Sequence, residues 1–323
     1  MCLITFAWKA HPDYALIVAA NRDEWHDRAA APAAWWNDHP QILAGRDLKA
    51  GGTWMGVTRS GRFAAVTNFR DPGDKKSTAR SRGELVTAFL LGDETPAAFL
   101  TATKKVAFDY NGFSLVVGDG NSLAYFGSAG GEIKLLAPGV YALSNHTLNE
   151  PWPKVMMARS ALGAALQENM SEDARRMAIY TILSDDTVAP DDALPNTGVG
   201  IEWERVLSPA LIVSEKYGTR ASTILSIANN DTVSFEEYTR AIDGSVSHVA
   251  KFDFELRSNK CRDSRAAASR PTPPPHGPDD HSPLPTPRSS AAPPPESPWS
   301  APHRVCAGAR TYRARSWRGR DLR

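Results

Sequence analysis

The stretch MCLITFAWKAHPDYALIVAANRDE, residues 1–24, decides the fold of this chain. Its two apolar runs, Leu3 to Trp8 and Tyr14 to Ala20, are separated by the turn-forming sequence HPD, a pattern typical of a β-hairpin. Cys2 then begins the first strand, and the tetrad Asn21-Arg22-Asp23-Glu24 directly follows the second. Because the second strand of a hairpin ends beside the start of the first strand, we expect the tetrad to lie at the end of the sheet that holds Cys2.

Cys2 is the only cysteine among the first 260 residues. Removal of Met1 would put a thiol and a free α-amine on this one residue. An α-amine titrates at about 7.7–8.0, so it can accept the thiol proton near neutral pH, and the residue then carries a nucleophile together with a base. The alternative interpretation is a small apolar residue that starts a strand.

The charged tetrad offers groups that could act on Cys2. Charges beside the thiol can orient the α-amine and lower the pKa of the thiol, and the thiolate is the reactive form. The alternative is an exposed turn with a local arginine–carboxylate pair, which contributes little to stability.

Two asparagines end apolar strands. Asn68 follows the sequence AAVT, and Asn145 follows the sequence YALS. Amide donors held at strand ends can bind an oxyanion, which stabilises a transition state by roughly 3–4 kcal/mol. Asparagine also forms turns readily, so both positions have a structural alternative.

The remaining pattern predicts one α+β domain, residues 1–256, in which antiparallel sheets are covered by helices on their outer faces. Strand patterns occur at Thr53 to Arg59, Arg62 to Asn68, in a four-strand β-meander from Phe113 to Leu143, and at Leu211 to Val213, Ser222 to Ala228, Val233 to Tyr238 and Val246 to Phe254. Helical patterns occur at Ser81 to Leu91 behind a capping box, Thr95 to Lys104, Lys154 to Gln167 and Ser171 to Ser184.

The last 67 residues, 257–323, differ in composition from the rest. They hold 13 of the 24 prolines and 13 of the 37 basic side chains but only 5 of the 36 acidic ones, so this tail has a net charge of +8 and residues 1–256 have −7. A tail of this composition buries too little apolar surface to fold, and we expect it to be disordered. Two functional interpretations of the tail are a polyproline ligand and a basic arm for an anionic surface. The preferred interpretation is that the tail is a frameshift product, translated from GC-rich DNA in the wrong reading frame. No disulfide is assigned to Cys261 or Cys306.

Composition also excludes several classes of function. The negative charge of residues 1–256 argues against nucleic-acid binding by the core. No secretory signal is predicted, because polar residues from Lys9 to Asp13 interrupt the first apolar run, and no run reaches the roughly 18 apolar residues of a membrane span. Neither a paired metal-ligand spacing nor a nucleotide-binding fingerprint occurs, so no metal or cofactor is predicted. A single core cysteine suits a reducing cytoplasm, which is the predicted location.

Six short motifs, in order, resemble the NRDE family of transport and Golgi organisation protein 2 homologues, and this likeness spans residues 1–256. The motifs are Met1-Cys2-Leu3, Asn21-Arg22-Asp23-Glu24, Gly51-Gly52-Thr53-Trp54-Met55-Gly56, Thr67-Asn68-Phe69-Arg70, Ser81-Arg82-Gly83 and Leu143-Ser144-Asn145. That family is in turn similar to N-terminal-nucleophile hydrolases of the choloylglycine hydrolase and penicillin V acylase type. The resemblance implies their four-layer αββα sandwich.

The resemblance also implies a set of site residues. The implied roles are Cys2 as nucleophile and its amine as base, Arg22 and Asp23 as orienting groups, Asn68 and Asn145 as oxyanion contacts, and Arg220 as a supporting arginine. One feature departs from those hydrolases, which usually space the arginine and the aspartate by two residues. Adjacent side chains of an extended strand point to opposite faces, so Arg22 and Asp23 can both reach Cys2 only if the strand has turned.

The predicted function is an amide hydrolase or acyltransferase that acts on non-peptide C–N bonds through a Cys2 acyl-enzyme. Its partner is a small-molecule amide or acyl substrate, and the oligomeric state is left open. The alternative is a non-catalytic protein of the same fold that binds or traffics haem or an acyl lipid, since the resemblance extends to proteins implicated in such handling. Fold alone does not separate the two.

Overall fold

A computed structural model describes residues 2–73, 76, 78–167 and 169–257 of this chain. The predicted disordered tail, residues 257–323, lies outside this part except for its first residue, so the expectations about it and about Cys261 and Cys306 stay predictions. The domain boundary at residue 256 likewise stays a prediction.

Thirteen strands and five α-helices follow one another in the described part of the chain. The strands are β1 Cys2–His11, β2 Tyr14–Trp25, β3 Ala30–Trp35, β4 Ile42–Asp47, β5 Met55–Thr58, β6 Phe63–Asn68, β7 Phe113–Gly118, β8 Leu123–Gly127, β9 Ile133–Leu135, β10 Gly139–Leu143, β11 Tyr217–Ala228, β12 Thr232–Arg240 and β13 Val246–Glu255. The helices are α1 Gly83–Leu91, α2 Pro96–Val106, α3 Pro153–Ala165, α4 Glu172–Leu183 and α5 Ile201–Leu207. No helix in these described ranges has the length and apolar character to cross a membrane.

The strands form two antiparallel sheets. Sheet 1 has six strands in the order β10-β1-β2-β11-β12-β13, and sheet 2 has the seven strands β3 to β9 in chain order. The predicted hairpin of β1 and β2 is confirmed, and it lies in the middle of sheet 1.

Alternation of side chains along β1 separates two apolar layers. Ile4, Phe6 and Trp8 join a core that also contains sheet 2 residues such as Phe63, so they point between the sheets. Leu3 and its neighbours of the same parity instead pack against α3 and α4. Each face of sheet 1 is therefore apolar for a different reason, one facing the other sheet and one facing helices.

The helices complete the four layers. α1 and α2 cover the outer face of sheet 2 through a buried cluster that includes Phe89 and Phe99, and α3 and α4 cover the outer face of sheet 1 through Val155 and Ile179. Burying an apolar side chain of this size stabilises the fold by roughly 1.5–3 kcal/mol. The predicted αββα sandwich is confirmed by this arrangement.

Several local predictions are wrong. β10 is not the fourth strand of the meander, because it leaves β9 and pairs with β1 in sheet 1. The capping box does not form: the N-cap of α1 is Arg82, without a side-chain cap, and Glu84 pairs with Arg80 at 2.8 Å instead. Residues 211–213 are not a strand, and α5, β3 and β4 were not predicted.

Candidate functional site

The second strand runs five residues further than its apolar sequence indicates. β2 continues to Trp25, because β1 pairs with it on one side and β11 pairs with it on the other as far as Tyr217. The first three residues of the tetrad, Asn21, Arg22 and Asp23, are consequently buried inside sheet 1. The tetrad is therefore a segment of a central strand and not an exposed turn.

Cys2 and Arg22 are direct partners in the register of β1 and β2. Directly opposed residues share a face, and the alternation from Ile4 places this face between the two sheets. The Arg22 guanidinium lies 4.5 Å from the ring centroid of Trp54, which packs against the same core. Cys2 and Arg22 thus meet at one end of the space between the sheets.

Asp23 projects to the opposite face of β2. Its Oδ1 accepts a hydrogen bond of 2.7 Å from Thr219 Oγ1, and Lys154 of helix α3 is its main opposite charge. Because β2 is still extended here, the adjacent Arg22 and Asp23 lie on two faces, and the strand has not turned. The main chain of Asp23 nevertheless reaches the Cys2 thiol through a backbone hydrogen bond.

Burial dominates the titration of both groups. It raises the pKa of the Cys2 thiol, which the negative Asp23 also raises, while the Asp23 backbone hydrogen bond and Arg22 lower it. Burial also raises the pKa of Asp23, against the lowering effects of Lys154, Thr219 and Arg22. The thiol is therefore protonated near neutral pH, so it needs a proton acceptor before it can react.

A cavity of about 280 Å³ opens beside Cys2. Its walls come from β1, β2, the end of β6, the loop before β5, and the start of α1. Its lining includes Cys2, Arg22, Asp23, Glu24, Arg28, Asp47, Thr53, Trp54, Asn68, Ser81, Arg82 and Asn111. Four of the six predicted site residues, Cys2, Arg22, Asp23 and Asn68, are thus brought together.

Asn145 lies behind this cavity and does not line it. It is fully buried, its Nδ2 donates to the Asn68 carbonyl oxygen at 3.0 Å, and its own carbonyl accepts from Arg70 N at 2.7 Å. The neighbouring Ser144 Oγ donates to the Cys2 carbonyl at 3.0 Å. Asn145 therefore connects the end of β6 to the strand pair that carries Cys2.

Arg220 is not brought to the cavity. It lies at a bulge of β11, between Thr219 and Ala221, where the pairing with β2 shifts register. Its Nη1 donates to the carbonyl oxygens of Trp25 and His26 at 3.2 and 2.8 Å. These contacts hold the chain after β2, and the predicted role of Arg220 beside the nucleophile receives no support from its position.

A larger groove of about 910 Å³ adjoins the cavity. The two spaces share Glu24, Arg28, Asn68, Arg82 and Asn111. The other groove residues are largely apolar or aromatic and include Trp25, Phe69, Pro72, Val199, Trp203, Leu207 and Tyr217. The cavity beside Cys2 is therefore a small polar chamber at one end of a wider apolar groove.

Comparison with known proteins identifies the family of this chain. The family model Transport and Golgi organisation 2 matches residues 1–241. The Transport and Golgi organization protein 2 homolog of Bos taurus is 35% identical over 279 residues, covering 80% of this chain and 100% of that protein. The Homo sapiens homolog is 33% identical with the same coverage. The chain belongs to the Transport and Golgi organisation 2 family. This confirms the resemblance carried by the six motifs.

Two solved structures also match this family member. A C2A mutant of the conjugated bile acid hydrolase from Clostridium perfringens aligns with a TM-score of 0.38 at 9% identity, covering 79% of this chain and 92% of that chain. A Caenorhabditis elegans N-acylethanolamine-hydrolyzing acid amidase ortholog aligns with a TM-score of 0.31 at 11% identity, covering 69% and 92%.

Sequence reasoning missed a buried lysine of this Transport and Golgi organisation 2 family member. Lys154 is 3% exposed, its Nζ donates to the carbonyl oxygens of Leu207 and Pro209 at 2.7 and 3.4 Å, and it faces Asp23. Burial lowers its pKa to about 8, although Asp23 raises it. A signal was available, because Lys154 shares helical spacing with the buried residues Ala158 and Leu162.

A buried glutamate was also missed. Glu237 of β12 lies across the space between the sheets, where its Oε1 accepts a hydrogen bond of 2.6 Å from Ala33 N. Burial raises its pKa to about 7, and that backbone bond and the charge of Arg22 lower it. Glu237 lies on the same face of β12 as the core residue Phe235. The sequence did not indicate that β12 lies near the tetrad, so no local pattern marked Glu237 as a site residue.

The described residues of this family member contain no group of three or more His, Cys, Asp or Glu side chains that could hold a metal ion. The side chains that line the cavity beside Cys2 supply a thiol, four guanidinium groups, carboxylates, amides and hydroxyls.

Proposed function

We propose that this chain is a cysteine N-terminal-nucleophile amidohydrolase or acyltransferase that acts on non-peptide C–N bonds through a Cys2 acyl-enzyme. The observation that carries the proposal is the position of Cys2, at the first residue of a central strand, opposite Arg22 and lining a cavity. A nucleophile needs access to substrate and groups that counter the burial of its thiolate. The cavity supports the first requirement, and Arg22, which lowers the pKa of Cys2 against the effect of burial, supports the second.

The reaction begins with loss of Met1 and release of the Cys2 α-amine. The amine accepts the thiol proton, and the sulfur attacks the amide carbonyl, forming a C–S bond and a tetrahedral oxyanion. The C–N bond then breaks, and the leaving nitrogen takes the proton from the α-amine. Water attacks the thioester in a hydrolase, or another nucleophile attacks it in an acyltransferase, and the thiol is restored.

Arg22 and the main chain of Asp23 serve the thiolate in this scheme. Both lower the pKa of Cys2 against the effect of burial. Arg22 Nη1 is buried and makes no hydrogen bond within the described part of the chain, so it has donor capacity for a substrate oxygen in the cavity. This unused donor supports a ligand-binding role for the chamber.

Asn68 is the proposed oxyanion donor, because it lines the cavity at the end of β6. Asn145 acts through it, since its amide holds the Asn68 carbonyl. Asp23 is proposed to orient the Cys2 amine from the helix side of the strand, with Lys154 supplying the balancing charge.

The non-catalytic alternative is favoured by one observation, the size and apolar character of the groove next to the chamber. An acyl lipid suits these walls, because the lining residues Trp25, Trp203 and Leu207 present apolar surface to an acyl chain. Binding without acyl transfer would leave Cys2 unmodified.

Intact-mass spectrometry tests the proposal. The protein should lack Met1, and an activated acyl donor should add one acyl group to Cys2, with no such adduct in Cys2→Ala. A thiol alkylator should label Cys2 faster than Cys261 and Cys306. Retained Met1 would falsify the mechanism, because the base would then be part of a peptide bond. Haem titration monitored by the Soret band tests the alternative.

A further inference from the structure

Arg82 lies where the chamber beside Cys2 meets the apolar groove, and it lines both. It is the N-cap residue of α1 and is half-buried. Its Nη1 donates to the Gly112 carbonyl oxygen at 3.1 Å, which is its one hydrogen bond within the described residues. No carboxylate of that part of the chain lies within ion-pair distance of Arg82, so most of its five donors remain available.

The backbone fixes this position. A Cβ added to Gly83 would lie 3.0 Å from the Thr53 carbonyl oxygen, and one added to Gly52 would lie 2.7 Å from the Gly83 carbonyl carbon. The start of α1 therefore rests directly on the loop before β5, a contact that only glycine permits. Because the helix start is held by main-chain contact, Arg82 is held over the junction.

The neighbouring arginines of the groove are neutralised. Arg28 Nε lies 2.7 Å from Asp47 Oδ2, and Arg70 Nη1 lies 2.5 Å from Glu204 Oε2. Arg82 has no such partner. Burial lowers the pKa of its guanidinium, while the negative forms of Cys2 and Glu24 raise it, which places its charge next to the nucleophile.

A second guanidinium with unused donors faces the same chamber. Arg22 is 5% exposed, its Nη1 has no hydrogen-bond partner among the described residues, and its Nη2 is 3.9 Å from the nearest carboxylate oxygens, on Glu24 and Asp47. Buried donors are normally satisfied. Two arginines with open donors that line one chamber point to an oxyanion as the missing partner.

The groove beyond Arg82 exposes aromatic surface. Trp25 and Trp203 are 47% and 41% exposed, and their rings meet edge to face with centroids 6.0 Å apart. Tyr217 contacts Trp25 in the same way at 5.4 Å. Adjacent exposed tryptophans next to a cation suit a ligand with an apolar chain and a negative end.

We propose that Arg82 binds the oxyanion group, a carboxylate or a phosphate, of an amphipathic acyl compound whose apolar chain lies along Trp25 and Trp203. This rests on the proposed function, because it takes the chamber beside Cys2 as the reaction site. Arg82 is then the residue that selects negatively charged substrates and sets how far their acyl carbon reaches toward Cys2.

Binding of simple amphiphiles to the full chain tests this inference, with Cys2→Ala as background so that no turnover occurs. The probes are octanoate, octyl phosphate, octan-1-ol and octyltrimethylammonium, which share one chain and differ in the head group. Affinities come from calorimetry and from quenching of tryptophan fluorescence. The variants are Arg82→Met and Arg82→Lys. Arg62→Met is the matched control, since Arg62 also donates to main-chain carbonyls near α1 but lines neither space.

We expect at least one of the two anions to bind about tenfold more tightly than octan-1-ol and octyltrimethylammonium, as a charge-assisted hydrogen bond implies. The tighter anion identifies the head group. Arg82→Met should remove this preference, Arg82→Lys should restore part of it, and Arg62→Met should keep it. Equal binding of all four probes by the unmutated Arg82 protein, or an equal loss in Arg82→Met and Arg62→Met, would overturn the inference.

The outcome is separable from that of the proposed function. Arg82-dependent anion binding without acylation of Cys2 in the wild type would sustain the inference and reject the hydrolase. Acylation of Cys2 without any preference for anions would do the reverse.

Discussion

Cys2 and Arg22 face each other across the β1–β2 pair, while Asp23, the next residue, lies on the other face of the same strand. The site therefore spans both sides of sheet 1. The thiol and a guanidinium lie between the sheets, and a carboxylate with its lysine lies under the helices. The groups on the two sides of sheet 1 are therefore expected to affect different properties of the protein.

Arg22→Met should slow alkylation of Cys2. Loss of a nearby positive charge raises a thiol pKa by about one unit or more, which lowers the thiolate fraction about tenfold near neutral pH. The pH dependence of the iodoacetamide labelling rate measures this. Arg220→Met is the control, because Arg220 binds only the carbonyls of Trp25 and His26 among described residues. Equal rates in both variants would contradict the assignment of Arg22.

Lys154→Met should destabilise the protein by about 3–5 kcal/mol, because it leaves Asp23 buried beside no compensating lysine. The pKa of Lys154 is about 8, below its ordinary 10.5, so the unfolded chain binds more protons between these values. Lys154 therefore makes stability rise as pH increases from about 8, and the variant should lose this gain. Urea unfolding at several pH values measures it, with the exposed Lys104→Met as the unaffected control.

Glu237 should oppose stability as pH rises through neutrality. Burial raises its pKa from 4.5 to about 7, so between these values the folded protein binds the extra proton and stability falls with increasing pH, by about 3 kcal/mol at most. Glu237→Gln should flatten this fall, as measured by urea unfolding at pH 5 and pH 8. Its neighbour Glu236 has a lowered pKa, so Glu236→Gln should leave the fall intact.

The two asparagines should behave differently. Asn68→Ala should lower kcat by 10²- to 10³-fold with little loss of stability, as expected for an oxyanion donor. Asn145→Ala should mainly cost stability, by about 1–3 kcal/mol, because the buried Asn145 amide and its hydrogen bond to the part-buried Asn68 carbonyl are lost. Thermal unfolding and turnover of an amide substrate separate them. A stable, inactive Asn145→Ala would show that Asn145 itself contacts the substrate.

Gly83→Ala should displace the start of α1. The added methyl would meet the main chain of Thr53 at 3.0 Å, and backbone cannot move aside cheaply, so the cost is about 1–3 kcal/mol. Gly163→Ala in α3 is the matched control, since nothing lies within 4 Å and alanine favours a helix by roughly 0.5–1 kcal/mol. Thermal unfolding of both variants checks this pair, which should shift in opposite directions.

Local sequence patterns were enough to predict much of the scaffold. The hairpin of β1 and β2, four of the five helices and most strands follow from side-chain periodicity and turn residues, which depend on neighbours in the chain. The nearness of Cys2 to Arg22 followed from the same hairpin. The order of the six motifs also identified the family.

The tertiary structure decided what lies beside that hairpin. The pairing of β2 with β11, nearly two hundred residues later, extends β2 to Trp25 and buries Asn21, Arg22 and Asp23, and the crossing of β10 to β1 places Asn145 behind Asn68. Lys154 and Arg82 reach the site in the same way, from helices packed on opposite outer faces. Such contacts depend on which distant surfaces meet, and periodicity along one segment carries no record of its partner. The sequence by itself therefore determined most of the strands, four of the five helices and the position of Cys2 beside Arg22, and long-range packing determined the other charges that surround this pair.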